Sequence, residues 1–213
     1  MVDIEKLIHK FWNQEWPLVE DKMSFLFPQF EHRYDKESSA VLYSLIRQFE
    51  PMNCLEVGAY VGGATHVIMK ALQKNATPYL FIASEKDDIL RKETEKNLLK
   101  ECGIVPFLIG DITKNLHLIP DYIDFLFLDT NHDLSTTQWI FSNLIPRVKE
   151  NSLVAIHDFP AEDREGEWIL KPNPFPEAEY IVSLHKESQL PLEKLYWNYG
   201  EGGGKEASFW IKK

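Results

Sequence analysis

Between Leu55 and Thr65 the chain reads Leu-Glu-Val-Gly-Ala-Tyr-Val-Gly-Gly-Ala-Thr, with Glu56 two residues before Gly58 and a glycine pair at Gly62 and Gly63. A short apolar run, Asn53–Val57, leads into this segment, and a helical pattern, Gly63–Lys74, leaves it. A glycine-rich turn between a strand and a helix is where doubly wound α/β folds hold nucleotide-like ligands. Glycine permits a sharp turn and close approach of the backbone, and the helix N-terminus presents free N–H groups. Three ligand classes compete for such a turn. A dinucleotide turn wants G-x-G-x-x-G, but Tyr60 stands at the middle glycine and would crowd a pyrophosphate. A phosphate-binding P-loop ends in Gly-Lys-Ser/Thr, whereas this one ends Gly63-Ala64-Thr65. The carboxylate of Glu56 repels phosphate and suits a cation. S-adenosylmethionine (SAM) carries a sulfonium and an ammonium group and no phosphate, so the electrostatics favour it over NAD or ATP.

Further chemistry-bearing residues close the other apolar runs. Glu85 follows Pro78–Ser84, and a carboxylate there can accept hydrogen bonds from both hydroxyls of a ribose. The competing role, an acid complementing a helix N-terminus, suits Asp87 or Asp88 better. Gly110-Asp111-Ile112 follows Val105–Ile109, and Asp111 is equally suited to cap a helix over Lys114–Leu118. Asp129, Asn131, His132 and Asp133 follow Ile123–Leu128, while His157, Asp158 and Phe159 close Leu153–His157. A solitary His or Asp at a strand end is usually structural. Two acids and two histidines at neighbouring strand ends point towards function, because those ends face the ligand crevice of an open α/β sheet.

Positioning these residues requires strands alternating with helices. The five runs are short, β-branched or aromatic, and each is followed by a polar loop, as parallel strands buried on both faces read. Helical patterns lie between them over Gly63–Lys74, Asp87–Cys102 (apolar at Ile89, Leu90, Leu98 and Leu99) and Ser135–Lys149, with Ser135 as N-cap. The expected fold class is α/β, a Rossmann-like doubly wound sheet. At the C-terminal end, Glu193–Tyr199 and Ala207–Lys212 are strand-like and flank Gly200–Glu206, which predicts an antiparallel hairpin.

Leu55–Thr65 resembles motif I of class I SAM-dependent methyltransferases, and is particularly similar to the Glu-x-Gly-Ala-Tyr-x-Gly form of the catechol O-methyltransferase-like group. The resemblance extends in order and spacing from about His32 to Lys213. It also takes in the bacterial group of cephalosporin-hydroxylase-like and sugar or macrolide O-methyltransferases. It implies a seven-stranded, mostly parallel sheet, with residues 51–213 as the SAM-dependent methyltransferase domain. Glu56, Gly58, Ala59, Tyr60 and Gly62 would cradle SAM, with Glu85 as the ribose acid, Asp111 and Ile112 at the adenine, and Asp129 beside the cofactor. Metal-dependent relatives hold Mg2+ through an Asp after the fourth strand and an Asp-Asn pair after the fifth. Asp129 and Asp158 match the acids, and Phe159 replaces the Asn. His132 occupies the place of a catalytic Lys, and an imidazole can take a hydroxyl proton near neutral pH. The implied catalytic set is His132, Asp129 and Asp158. The implied activity is O-methylation of a small-molecule hydroxyl. A non-catalytic SAM-binding protein and an N-methyltransferase are the alternatives. The Asn/Asp-Pro-Pro-Tyr motif of many N-methyltransferases is missing from Asp129–His132.

The remaining features set boundaries. Residues 1–50 read as a helical, aromatic-rich segment (Phe11, Trp12, Trp16, Phe25, Phe27, Phe30, Tyr34) that either caps an active site, forms a homodimer surface or, equally well, simply packs against the sheet. Ala161–Pro176 would border the acceptor pocket, with Trp168 and Phe175 as walls, and reads equally well as a disordered surface loop. The 33 acidic against 23 basic residues, without a Lys/Arg cluster, argue against nucleic acid as a partner. No window supplies the apolar length of a membrane span, and Asp3, Glu5, Lys6 and Lys10 interrupt any secretory apolar segment. Cys54 and Cys102 are too few for a disulfide scaffold and read as buried thiols of a cytoplasmic protein.

Overall fold

The computed structural model describes residues 6, 10, 11, 14, 15, 36–130, 133–157, 161–162, 168–169, 176–197 and 207–213. Its elements are α1 (Lys36–Phe49), β1 (Asn53–Val57), α2 (Gly63–Lys74), β2 (Leu80–Ser84), α3 (Asp88–Cys102) and β3 (Phe107–Ile109). There follow β4 (Ile123–Leu128), α4 (Leu134–Asn143), β5 (Val148–His157), the two-residue strands β6 (Ala161–Glu162) and β7 (Trp168–Ile169), α5 (Pro176–Lys186), β8 (Leu192–Trp197) and β9 (Ala207–Lys212). The sheet has seven strands in the order β3-β2-β1-β4-β5-β9-β8. Pairing is parallel for β1–β2, β2–β3 and β4–β5 and antiparallel where β9 joins β5 and β8. The fold is thus the α/β, Rossmann-like, mostly parallel sheet with a C-terminal antiparallel hairpin that the sequence predicts.

The chain divides into two compact units, Met1–Ile119 and Pro120–Lys213. In the first, α1 packs on α2, and Ala40, Leu42, Tyr43 and Ile46 of α1 are fully buried. Cys54 is buried on β1, whereas Cys102 at the end of α3 is half-buried, and neither is in a disulfide. The apolar stripe expected on α3 is half right: Leu98 is buried, but Ile89 and Leu99 are exposed. The inward face instead carries Leu90, Thr94, Asn97 and Leu98, a spacing that keeps one helix face turned to its neighbour.

In the second unit β4 is buried almost throughout and β5 is buried from Ser152 to His157, and β9 packs Phe209 and Trp210 into the core. The helix expected over Ser135–Lys149 ends at Asn143. A 3-10 turn over Ile145–Arg147 contains Pro146, and β5 starts at Val148. Proline has no N–H to give to a helix and disfavours helical backbone before it, which stops α4 early. The N-cap is Asp133 rather than Ser135: its Oδ1 accepts from the Thr136 N–H at 2.7 Å, while the Ser135 hydroxyl donates to the same oxygen at 2.5 Å.

Candidate active site

The glycine turn is built by the register of its two strands. Val57 pairs with Ser84, so β1 and β2 end level, and the N–H groups of Gly58 and Ala59 both donate to the Ser84 carbonyl at 3.0 Å. Gly58, Tyr60 and Gly62 have φ of 92°, 51° and 97°, all in the left-handed region. Glycine occupies two of these at little cost. Tyr60 does not, and a non-glycine residue there costs about 1–2 kcal/mol. The Tyr60 N–H donates to Glu85 Oε2 at 2.8 Å, and the Asp87 N–H donates to Oε1 of the same carboxylate at 2.9 Å. Each oxygen of Glu85 is therefore fixed by one backbone N–H and retains a second lone pair. Two anchored acceptors on one carboxylate match the vicinal diol of a ribose. The competing acidic role falls to Asp87, which caps α3 by accepting from the N–H groups of Ile89 and Leu90.

Of the other residues expected at the cofactor, Glu56 is fully buried on β1 and Ala59 is buried within the turn. Ile112 is buried, and Asp111 lies at the end of β3, beside β2 in the sheet. Asp111 folds onto its own turn. Its Oδ1 accepts from the Thr113 hydroxyl at 2.7 Å and N–H at 3.0 Å, and Lys114 lies 3.5 Å from Oδ2. The Thr113 hydroxyl above all, with the Thr113 N–H and Lys114, holds this carboxyl below its ordinary range against the opposing effect of burial. The local turn thus uses Asp111 much as a cap would, and the helix expected after it is a 3-10 turn over Leu116–Leu118.

In the second unit, the parallel register Leu128↔Ile156 sets Asp129 and His157 side by side at the ends of β4 and β5. His157 Nδ1 lies 3.2 Å from Asp129 Oδ1, with the imidazole buried and the carboxylate about a quarter exposed. A neutral imidazole facing a carboxylate carries its proton on Nδ1, which fixes the tautomer. The ring also lines a cavity of about 20 Å³ with Thr130, Thr137, Phe141 and Ile181, room for about one water molecule. His132, Asp158 and Phe159 lie outside the described residues, as do Phe175 and most of Ala161–Pro176. Among the described residues no group of three or more His, Cys, Asp or Glu side chains is placed to hold a metal ion. Asp129 brings one carboxylate, with Oδ1 already engaged by His157, so the described residues do not assemble a Mg2+ site.

Residues 55–159 match the family model described as a methyltransferase domain. The chain carries a methyltransferase domain. Its fold is shared with solved structures of low identity. One is an O-methyltransferase from Bacillus cereus in complex with SAH, 14% identical, with 92% of this chain and 90% of that chain covered and a TM-score of 0.68. Another is the O-methyltransferase TomG of Streptomyces achromogenes, involved in tomaymycin synthesis and in complex with SAM, 13% identical over 100% of both chains, TM-score 0.66. An SAH-bound methyltransferase from Podospora anserina is 13% identical over 100% of this chain and 89% of that one, TM-score 0.62. No curated protein matches the sequence.

Two residues of this methyltransferase escaped the sequence reading. Thr94 and Asn97 of α3 bond the carbonyls of Tyr60 and Val61 in the glycine turn. The available signal was two polar side chains on the apolar stripe of an otherwise charged helix.

Proposed function

We propose that this methyltransferase transfers the methyl group of SAM to a hydroxyl oxygen of a small-molecule acceptor. The observation that carries the reading is the Glu85 carboxylate, both of whose oxygens are fixed by backbone N–H groups at the mouth of the glycine turn. Glu85 takes the ribose hydroxyls. The turn from Glu56 to Gly62 takes the aminoacyl part of SAM, whose cationic groups the Glu56 carboxylate favours. Ile112 and Asp111 serve the adenine end. The B. cereus and S. achromogenes structures, crystallised with SAH and SAM, support the choice of cofactor.

The reaction is an in-line displacement. The acceptor oxygen attacks the methyl carbon, the C–S bond breaks with its electron pair going to sulfur, and S-adenosylhomocysteine leaves. The sulfonium already activates the methyl, so the protein supplies proximity, alignment and removal of the hydroxyl proton. His132 takes that proton. Asp129, oriented by His157, holds the acceptor end, and Asp158, the residue after His157 in the sequence, completes the catalytic set.

Incubation with methyl-labelled SAM and a panel of phenolic, catecholic and sugar hydroxyl acceptors tests this. Transfer of label to an oxygen, with S-adenosylhomocysteine released in equal amount, is the expected result. Binding of SAM without turnover on any acceptor would instead mark a SAM-binding protein that does no chemistry.

A further inference from the structure

We propose that Thr94 and Asn97 of α3 are positioning residues that hold the cofactor turn in its binding conformation from behind. The proposal rests on the reading of that turn as the SAM site. Tyr60 is the strained point of the turn, a non-glycine residue at φ 51°, and such a conformation persists only where its surroundings hold it on both sides. Both of its peptide groups are held. The Tyr60 N–H donates to Glu85 Oε2 at 2.8 Å, and the Tyr60 carbonyl accepts from the Thr94 hydroxyl at 2.5 Å. One residue on, the Val61 carbonyl accepts from Asn97 Nδ2 at 3.1 Å. A further residue on, a Cβ placed on Gly62 would sit 3.3 Å from Thr94 Cγ2, so a side chain there would crowd α3.

The helix does not demand these two side chains. A helical threonine ordinarily bonds the carbonyl four residues back, and Leu90 offers that acceptor at 3.0 Å. The single hydroxyl proton favours the nearer carbonyl of Tyr60. Asparagine is a weak helix former in mid-helix, and Asn97 is half-buried with its amide turned to Val61. Both residues have their partners in the turn. With the N–H of Tyr60 held by Glu85 and its carbonyl held by Thr94, the φ and ψ between those two groups are held together, so releasing the carbonyl loosens the N–H from Glu85. Thr94 thereby acts on the ribose carboxylate through one residue, without any need to touch the cofactor itself.

The test is calorimetric titration of SAM into the full chain and its Thr94→Val, Thr94→Ser and Asn97→Ala variants. Thr94→Val keeps the shape and removes the hydroxyl. It should weaken SAM about tenfold, the size expected for one lost hydrogen bond, and raise KM for SAM more than it lowers kcat. Thr94→Ser restores binding to within about threefold, which a role in packing alone would not explain. Asn97→Ala, at a half-buried position, gives the same direction of change should Thr94→Val fail to fold. Amide exchange at Tyr60, which needs no ligand, should quicken in both Thr94→Val and Asn97→Ala. A wild type that binds SAM with variants that bind equally well and exchange Tyr60 at the same rate overturns the clamp alone. A wild type that ignores SAM overturns the cofactor reading on which it rests.

Discussion

His157 Nδ1 lies 3.2 Å from Asp129 Oδ1, across the ends of two parallel strands. The contact follows from register: once Leu128 pairs with Ile156, the next residue of each strand has its neighbour chosen. Of the two histidines singled out in the sequence, His157 is the one the structure sets against Asp129. A carboxylate can only accept, so the imidazole that faces it donates Nδ1–H. His157→Ala should lower kcat about tenfold, the effect of losing a hydrogen bond to a charged group. His157→Asn, whose amide can reproduce the Nδ1 donor, should retain more activity than His157→Ala. Steady-state kinetics on the two variants check this, and equal losses would show that the hydrogen bond is not what matters.

Glu85→Gln should be worse than the removal of a charge suggests. One end of the new amide becomes an NH2 donor, and both ends of Glu85 now face N–H groups, from Tyr60 and Asp87. One backbone N–H is then opposed by a donor whichever way the amide turns. SAM affinity should fall about 10–100-fold, the range for a hydrogen-bonded charged group, as read by calorimetry.

Gly62→Ala tests the turn from the glycine side. The position has φ 97°, and the added Cβ would meet Thr94 Cγ2 at 3.3 Å. Left-handed backbone costs about 1–2 kcal/mol for a residue with a Cβ, and the close contact adds to it. Urea unfolding should show a loss of at least that size. A neutral substitution would mean that the turn relaxes without effort.

Glu15 is held to α1 by accepting from Arg47 Nε at 2.9 Å and from the Tyr43 hydroxyl at 2.6 Å. The Arg47 hydrogen bond is the largest influence, and the carboxyl lies below its ordinary value of 4.5 despite its partial burial. A carboxylate whose folded-state pKa is depressed contributes stability that is present above its unfolded value and lost as pH falls through the folded value. Wild type should therefore exceed Glu15→Gln in stability at pH 7. The gap should start to narrow near pH 4.5 and close below it, as urea unfolding across that range will show. A gap that stays constant to pH 3 would remove the ion pair from the account.

The sequence made β1, α2, β4 and β9 readable to the residue, because each is a clean apolar run or stripe bounded by Gly, Pro or charge. β5 is longer than its apolar run. Lys149, Glu150 and Asn151 are exposed, Asn151 has φ 63°, and the pairing with β4 shifts register there. Such an irregularity leaves no two-residue period to find. Glu85 was legible because strand order alone brings a carboxylate to the end of β2. Thr94 and Asn97 were not, since their partners are backbone carbonyls more than thirty positions away, reached only through the packing of α3 on the turn. Ile89 and Leu99 misled for the converse reason: apolar type suggested burial that the helix phase denies them.

The most direct measurement is calorimetric titration of the purified protein with SAM and, separately, with NAD+. The account predicts saturable one-to-one binding of SAM that Glu85→Gln weakens, and no binding of NAD+, because Glu56 and Tyr60 disfavour a pyrophosphate at the turn. Binding of NAD+ with indifference to SAM would contradict it.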